Sequence, residues 1–219
     1  MPATQADIRA SSFEYRAVFQ EAIIAKWRDN SQIAQVTFRA FKDWKISLEQ
    51  MSEVFFAQNF GQHGLLYQIQ GRYDFRVTPA GVRLNITNPA WQEFPEVLRI
   101  IESGTTAVRG ASEMPYDRHE AVLDIHVTPQ GSVRDLTRQF LPPALGKTGE
   151  DDLLACGFTY SGGSRNLHVD SSAFFPDSLF IRIFHKFPVD TAFAEMGKLL
   201  LGDEIEMLNI LGLSVAGIN

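Results

Sequence analysis

Apolar and polar positions alternate with period two along several stretches of the chain. Val82, Leu84 and Ile86 point one way while Arg83, Asn85 and Thr87 point the other. Tyr73, Phe75 and Val77 alternate in the same manner with Asp74 and Arg76, as do Leu167 and Val169 with Asn166, His168 and Asp170. Leu179, Ile181 and Ile183 are interleaved with Phe180, Arg182 and Phe184, and Ala121, Leu123, Ile125 and Val127 with Glu120, Val122, Asp124 and His126. This alternation predicts antiparallel strands with one face on a core and the other open. Two stretches, 30–41 (NSQIAQVTFRAF) and 130–141 (QGSVRDLTRQFL), instead carry apolar residues at helical spacing behind an Asn or Ser cap candidate. Two Phe-Pro passages, from Phe94 and from Phe187, predict further helices. In these, Pro95 and Pro188 take the first helical position, and Gly104 and Gly202 the stop.

These pieces recur in order. EAIIAKWRD at 21–29 pairs with EAVLDIHVT at 120–128, and each is followed by a helix, three strand-like runs and a Phe-Pro helix. The three runs are 65–70, 72–78 and 81–87 in the first half, with TPAG as a tight turn, and 153–160, 165–172 and 178–185 in the second, with SGGS as a turn. The expected fold is α+β: two β-α-β-β-β-α repeats forming one curved antiparallel sheet with helices on one face. The repeats are expected over residues 20–110 and 115–205, as one globular unit, with a C-terminal tail, 206–219, packing on the body. Segment 45–60 (KISLEQMSEVFFAQNF) is expected as an extra helix; in a competing parse 35–41 is the strand and this segment its helix. MPYDRHE at 114–120 reads as the linker between halves, with Asp117 and His119 exposed.

A β-α-β-β-β-α unit repeated twice resembles the TATA-binding-protein-like fold over roughly residues 20–205. The resemblance lies in layout rather than in motif residues, and it implies a curved sheet with helices on its convex side. The family's use of that sheet on DNA is not carried over, because a fold does not fix a function. The strand type EAIIAKWR and the aromatic passage GVRLNITNPAWQEF are similar to an uncharacterised group of bacterial proteins, which implies no activity.

Charge narrows the function classes. The net charge of −6 opposes a polyanion, whose affinity comes mostly from Lys and Arg on phosphates. Cys156 is the one cysteine, so no intramolecular disulfide forms; it reads as a buried small hydrophobe, and a reducing, cytoplasmic setting is expected. The first residues lack the apolar core of a signal peptide, and no stretch is apolar for long enough to cross a membrane. Phe, with 17 copies, points to a thick core.

The outward strand positions gather the candidate chemistry. Asp124, His126, His168, Asp170 and Arg182 fall on the open face of the second half, with Phe180 and Phe184 beside them. The leading expectation is a non-enzymatic binding module presenting this face to a protein or peptide partner. Arg182, Phe180, Phe184, Arg83 and Trp27 are its anchors, Trp27 falling on the open side in the repeat register. The alternative is an enzyme or metal protein in which Asp124, His126, His168 and Asp170 act as an acid–base set or as ligands. A second alternative, nucleic-acid binding, would draw on Lys26, Arg28, Arg76, Arg83 and Arg182. No G-x-S-x-G, H-E-x-x-H, C-x-x-C or phosphate-loop motif occurs, so no cofactor is implied and the balance leans away from an enzyme. The apolar tail is compatible with a homodimer.

Overall fold

The computed structural model describes residues 3–54, 63–140 and 157–216. The chain is mixed α+β and built on a large, mainly antiparallel sheet. Its strands are β1 (Thr4–Phe19), β2 (Met51–Val54), β3 (Gly64–Ile69), β4 (Tyr73–Thr78), β5 (Gly81–Thr87), β6 (Tyr116–Pro129), β7 (Phe158–Gly162), β8 (Arg165–Ser171), β9 (Leu179–Phe187) and β10 (Leu213–Val215). Its helices are α1 (Ile24–Trp27), α2 (Ser31–Ala40), α3 (Phe94–Ser112), α4 (Val133–Arg138) and α5 (Phe193–Ile210). Hydrogen-bonded neighbours follow the order β2-β3-β4-β5-β1-β6-β9-β8-β7, with β10 parallel to β1. Two compact units divide the chain: one holds Phe13–Ala121 and Lys186–Gly197, the other Met1–Ser12, Val122–His185 and Lys198–Asn219.

In the 13–121 unit, β3, β4 and β5 form an antiparallel meander in which Tyr67 lies opposite Phe75 and Phe75 opposite Leu84, all fully buried. The TPAG turn closes β4 onto β5 as expected. Gly81 in that turn has φ 153, and a Cβ there would meet the Ala17 carbonyl oxygen at 2.1 Å, so only glycine lets β1 approach. Helix α3 starts at the Phe-Pro pair and buries Val97, Ile100, Ile101 and Val108. It does not stop at Gly104. A Cβ at that position would lie 2.3 Å from the Phe75 ring and 2.8 Å from the Phe41 ring, so this glycine serves packing, and the helix ends at Glu113 in the left-handed conformation.

Several expectations fail in this unit for local reasons. EAIIAKWRD is a bend and one helical turn rather than a strand. Ile23 and Trp27 are buried four residues apart while Ile24 is 51% exposed, the period of a helix. The first strand is instead β1, whose Phe13, Tyr15, Ala17 and Phe19 are buried in alternation with Glu14 and Arg16. Segment 45–60 is not a helix where it is described: a single 3-10 turn at Leu48–Gln50, closed by Ser47 and Gln50, leads into β2, which pairs with β3. Residues 55–60 lie outside the described residues. The stretch 35–41 is helical, not a strand.

In the 122–185 unit, β7, β8 and β9 form the second meander, with Gly162 opposite Arg165 across the SGGS turn. Leu167, Val169, Leu179, Ile181 and Ile183 are buried as their alternation predicts. Cys156 and residues 153–155 of the expected first run lie outside the described residues. Phe187 closes β9 rather than opening a helix, being buried in register with Ile183 and His185. Helix α5 begins at Phe193 and passes through Gly202 to Ile210. Tail residues Leu211, Leu213 and Val215 are buried. Among the described residues the order from β1 to α3 is strand, two helices, four strands and a helix, whereas from β6 to α5 it is strand, helix, three strands and a helix. Residues 21–29 and 120–128 do not occupy corresponding elements, so the expected repeat is not reproduced element for element.

Candidate binding face of the 122–185 unit

The alternation that buries Leu123, Ile125, Ile181 and Ile183 turns Asp124, His126, Phe180, Arg182 and Phe184 to the opposite face. Because β6 and β9 are neighbours, Asp124 and Arg182 meet. Arg182 Nε donates to Asp124 Oδ1 and Nη2 to Oδ2, each at 2.7 Å, and the guanidinium stands 5.3 Å from the Phe180 ring centre. This fork-on-fork pair with an aromatic beneath it fixes the arginine plane.

His126 lies among aromatic rings. Its ring centre is 5.2 Å from those of Phe175 and Phe180 and 5.7 Å from that of Phe174. Phe174 and Phe175 come from the loop between β8 and β9, which Ser172 organises: Ser172 Oγ accepts the Phe174 and Phe175 amides at 3.2 and 3.0 Å, and the Ser172 amide donates to the Ser178 carbonyl at 2.8 Å. With both amides donating to Oγ, the hydroxyl proton is directed at His126 Nδ1, 2.9 Å away, which places the proton of the neutral ring on Nε2. Phe174 stays 79% exposed. The result is a fixed cluster of three phenyl rings around a histidine, with an ion pair at its edge.

His168 and Asp170 lie on β8 opposite Arg182 and Phe180, with the His168 ring centre 6.3 Å from that of Phe180, but their hydrogen bonds go elsewhere. His168 Nδ1 bonds Thr159 Oγ1 at 2.8 Å, and Asp170 accepts from the Ser171 amide at 2.7 Å. Each acid or imidazole of the Asp124, His126, His168 and Asp170 set therefore has a different partner. Among the described residues no three His, Cys, Asp or Glu side chains come together to hold a metal. Trp27 is corrected outright: it is 7% exposed, in the buried register of α1. Arg83 belongs to the 13–121 unit, where Glu14 takes both it and Arg16 as ion-pair partners. A hollow of about 700 Å³ is bordered by Thr4, Ser132, Asp135, Gln139 and Asn209, with Asp135 the one charged side chain on its wall among the described residues.

Two further clusters escaped the sequence reading. His119, expected in an exposed linker, is 4% exposed because β6 already begins at Tyr116. Its Nε2 faces the Val189 carbonyl at 3.3 Å, so Nδ1 accepts the Tyr15 hydroxyl at 2.5 Å. Burial lowers the His119 pKa against the raising effect of Val189, and burial also pushes the Tyr15 hydroxyl well up. In the other unit, His185 Nδ1 lies 2.6 Å from Asp203 Oδ2, and Arg165 donates to Asp203 at 2.8 Å and to Glu206 at 2.6 Å. Burial opposes ionisation of Asp203, but the His185 and Arg165 hydrogen bonds outweigh it and hold the carboxyl below its ordinary value. Both clusters sit on the core side of their strands and brace the fold.

No helix among the described residues is long and apolar enough to cross a membrane. No protein-family model and no curated protein matches the chain. Among solved structures the chain is similar to the rolling circle replication initiator protein from Geobacillus stearothermophilus, at 8% identity over 90% of this chain and 80% of that one, with a TM-score of 0.36.

Proposed function

We propose that the chain is a non-enzymatic binding module whose open face on the 122–185 unit receives a protein or peptide partner. The observation that carries this reading is Phe174, 79% exposed and grouped with Phe175 and Phe180 around His126. A lone surface phenylalanine needs no explanation, but grouped aromatics held by a hydrogen-bonded loop, with a stacked arginine at the edge, have the composition of interface centres. Arg182 is preorganised by Asp124, so little of its freedom is left to lose on binding. The acid–base and metal alternative has less support, since its four residues are tied to four separate partners. Nucleic-acid binding also has less, since Lys26 pairs with Glu113, Arg83 with Glu14 and Arg182 with Asp124.

The test is selection of peptides from a displayed library against the wild-type protein, followed by calorimetric titration with Phe174→Ser. Affinity for the selected peptides is expected to fall by about tenfold or more with an unchanged Tm. If every selected peptide binds the variant as it binds the wild type, the face is not the binding surface.

A further inference from the structure

We infer that the segment this face receives is cationic as well as apolar: a peptide with an aromatic or aliphatic anchor flanked by Lys or Arg. The inference rests on the reading of the open face as a binding surface and adds the chemistry of the partner. Charge around the phenyl cluster is the basis. Asp170 lies directly opposite Phe180 on the neighbouring strand, which puts their side chains on one face within reach of a common ligand. Asp170 is exposed, and its Oδ1 accepts from the Ser171 amide and hydroxyl. Asp177 is exposed in the same loop as Phe174 and Phe175.

Next to the phenyl cluster the positive groups do not balance these two; Lys186, also exposed on the open face of β9, lies six residues beyond Phe180 along the strand. Arg182 is neutralised bidentately by Asp124. Arg9 reaches Thr128 on β6, and Asp7, two residues earlier on β1, is exposed with it. His126 contributes its ring face and edge rather than a proton to donate at Nδ1, where it accepts Ser172. The exposed phenyl of Phe174 adds a negative quadrupole that attracts a cation. An acidic peptide would set like charge against Asp170 and Asp177, whereas a basic one gains from both.

Two short acetylated and amidated peptides test this, one alternating Phe with Lys and one alternating Phe with Glu. Binding is read by fluorescence anisotropy at low and high salt, on the wild type, Phe174→Ser, Asp170→Lys and Asp177→Lys, each variant first checked for an unchanged Tm. The Lys peptide is expected to bind about tenfold or more tighter than the Glu peptide, with the preference shrinking in high salt. Either charge reversal is expected to narrow that preference, while Phe174→Ser weakens both peptides. Equal binding of the two peptides, or a preference for the Glu peptide, with dependence on Phe174 retained, overturns the cationic partner and leaves the binding face standing. Binding of the Lys peptide that responds to salt but not to Phe174→Ser marks a diffuse electrostatic attraction and also overturns the inference. Failure of both peptides to show any dependence on Phe174 counts against both readings.

Discussion

The Tyr15 hydroxyl donates to His119 Nδ1 at 2.5 Å, deep in the 13–121 unit, with Tyr116 and Phe193 packed against the imidazole. The pair links stability to pH. Burial holds the His119 pKa below its ordinary value, so between that depressed value and about 6.5 the unfolded chain binds the proton and the folded chain does not. The stability contributed by neutral His119 is therefore present above about pH 6.5 and is lost as pH falls toward the folded value. His119→Gln, which can still accept the Tyr15 proton but never titrates, is expected to flatten the fall in Tm between neutral and mildly acidic buffer. Denaturant melts of the two proteins across that range measure it; parallel curves would show that His119 does not control the slope. Tyr15→Phe strands a buried acceptor and is expected to cost about 1–3 kcal/mol at neutral pH.

Gly104 predicts a reversal of the usual helix rule. Glycine to alanine inside a helix stabilises by roughly 1 kcal/mol when the site is open. Here the new Cβ would fall 2.3 Å from the Phe75 ring and 2.8 Å from the Phe41 ring, both in the buried core. Overpacking of that kind costs about 1–3 kcal/mol, so Gly104→Ala is expected to lower stability. Gly110, on the same helix with open space around it, is the internal control and should gain from the same change. Chemical denaturation of both variants decides the sign.

These two cases show what the sequence makes legible. Period-two alternation identified the core face of β4, β5, β8 and β9 because one side of each strand is fully buried; Leu179, Ile181 and Ile183 are examples. Where alternation lapses, reading fails. The first half of β1 places Asp7, Ile8 and Arg9 all exposed, so only its second half, Phe13 to Phe19, carries the strand pattern. Gly104 and Gly202 looked like helix stops because a glycine's reason, clearance from Phe75 in one case, lies in tertiary contacts; nothing in the structure explains Gly202. Phe-Pro was a true helix start at Phe94 and a strand end at Phe187, because burial of Phe187 continues the β9 alternation.

The candidate face was half legible for the same reason. Outward alternation identified Asp124, His126, Phe180 and Arg182, but their meeting depends on β6 lying beside β9, which no local pattern encodes. Phe174 and Phe175 escaped because a loop of Ser, Pro and Asp reads as polar connection; the signal was two consecutive Phe residues where solvent-facing side chains are expected. His119 escaped because β6 starts at Tyr116, before the stretch that alternates most plainly.

The Asp203 brace predicts a hierarchy of losses. Asp203 is 5% exposed and joins His185 on β9 to Arg165 on β8, while the Glu206 side chain is 45% exposed. Asp203→Asn removes the buried charge between two partners and is expected to cost about 3–5 kcal/mol. Glu206→Gln removes a solvent-screened contact and should cost under about 1 kcal/mol. The Asp203 pKa is lowered in the folded state, so its stabilisation is present above about pH 3.9 and disappears as pH falls through the folded value. The acid limb of unfolding should accordingly be shallower in Asp203→Asn than in the wild type. Equal losses at the two positions would mean that burial does not set the strength of this brace.

Ser172 separates loop order from global stability. Its Oγ accepts two loop amides and donates to His126, so a single hydroxyl fixes Phe174 and Phe175 against the imidazole. Ser172→Ala leaves those amides to water, and since Phe174 is mostly exposed, the free-energy loss should be no more than about 1 kcal/mol. Local opening is another matter, since loops draw on the low end of the stability scale. Hydrogen exchange at the Phe174 and Phe175 amides is expected to accelerate by about tenfold, with exchange in β8 and β9 unchanged. The His126 imidazole nitrogens should also shift in NMR spectra as Nδ1 loses its donor. Unaltered exchange at both amides would show that the aromatic cluster is held by ring packing alone. Ser172 would then be incidental to the preorganisation of the face.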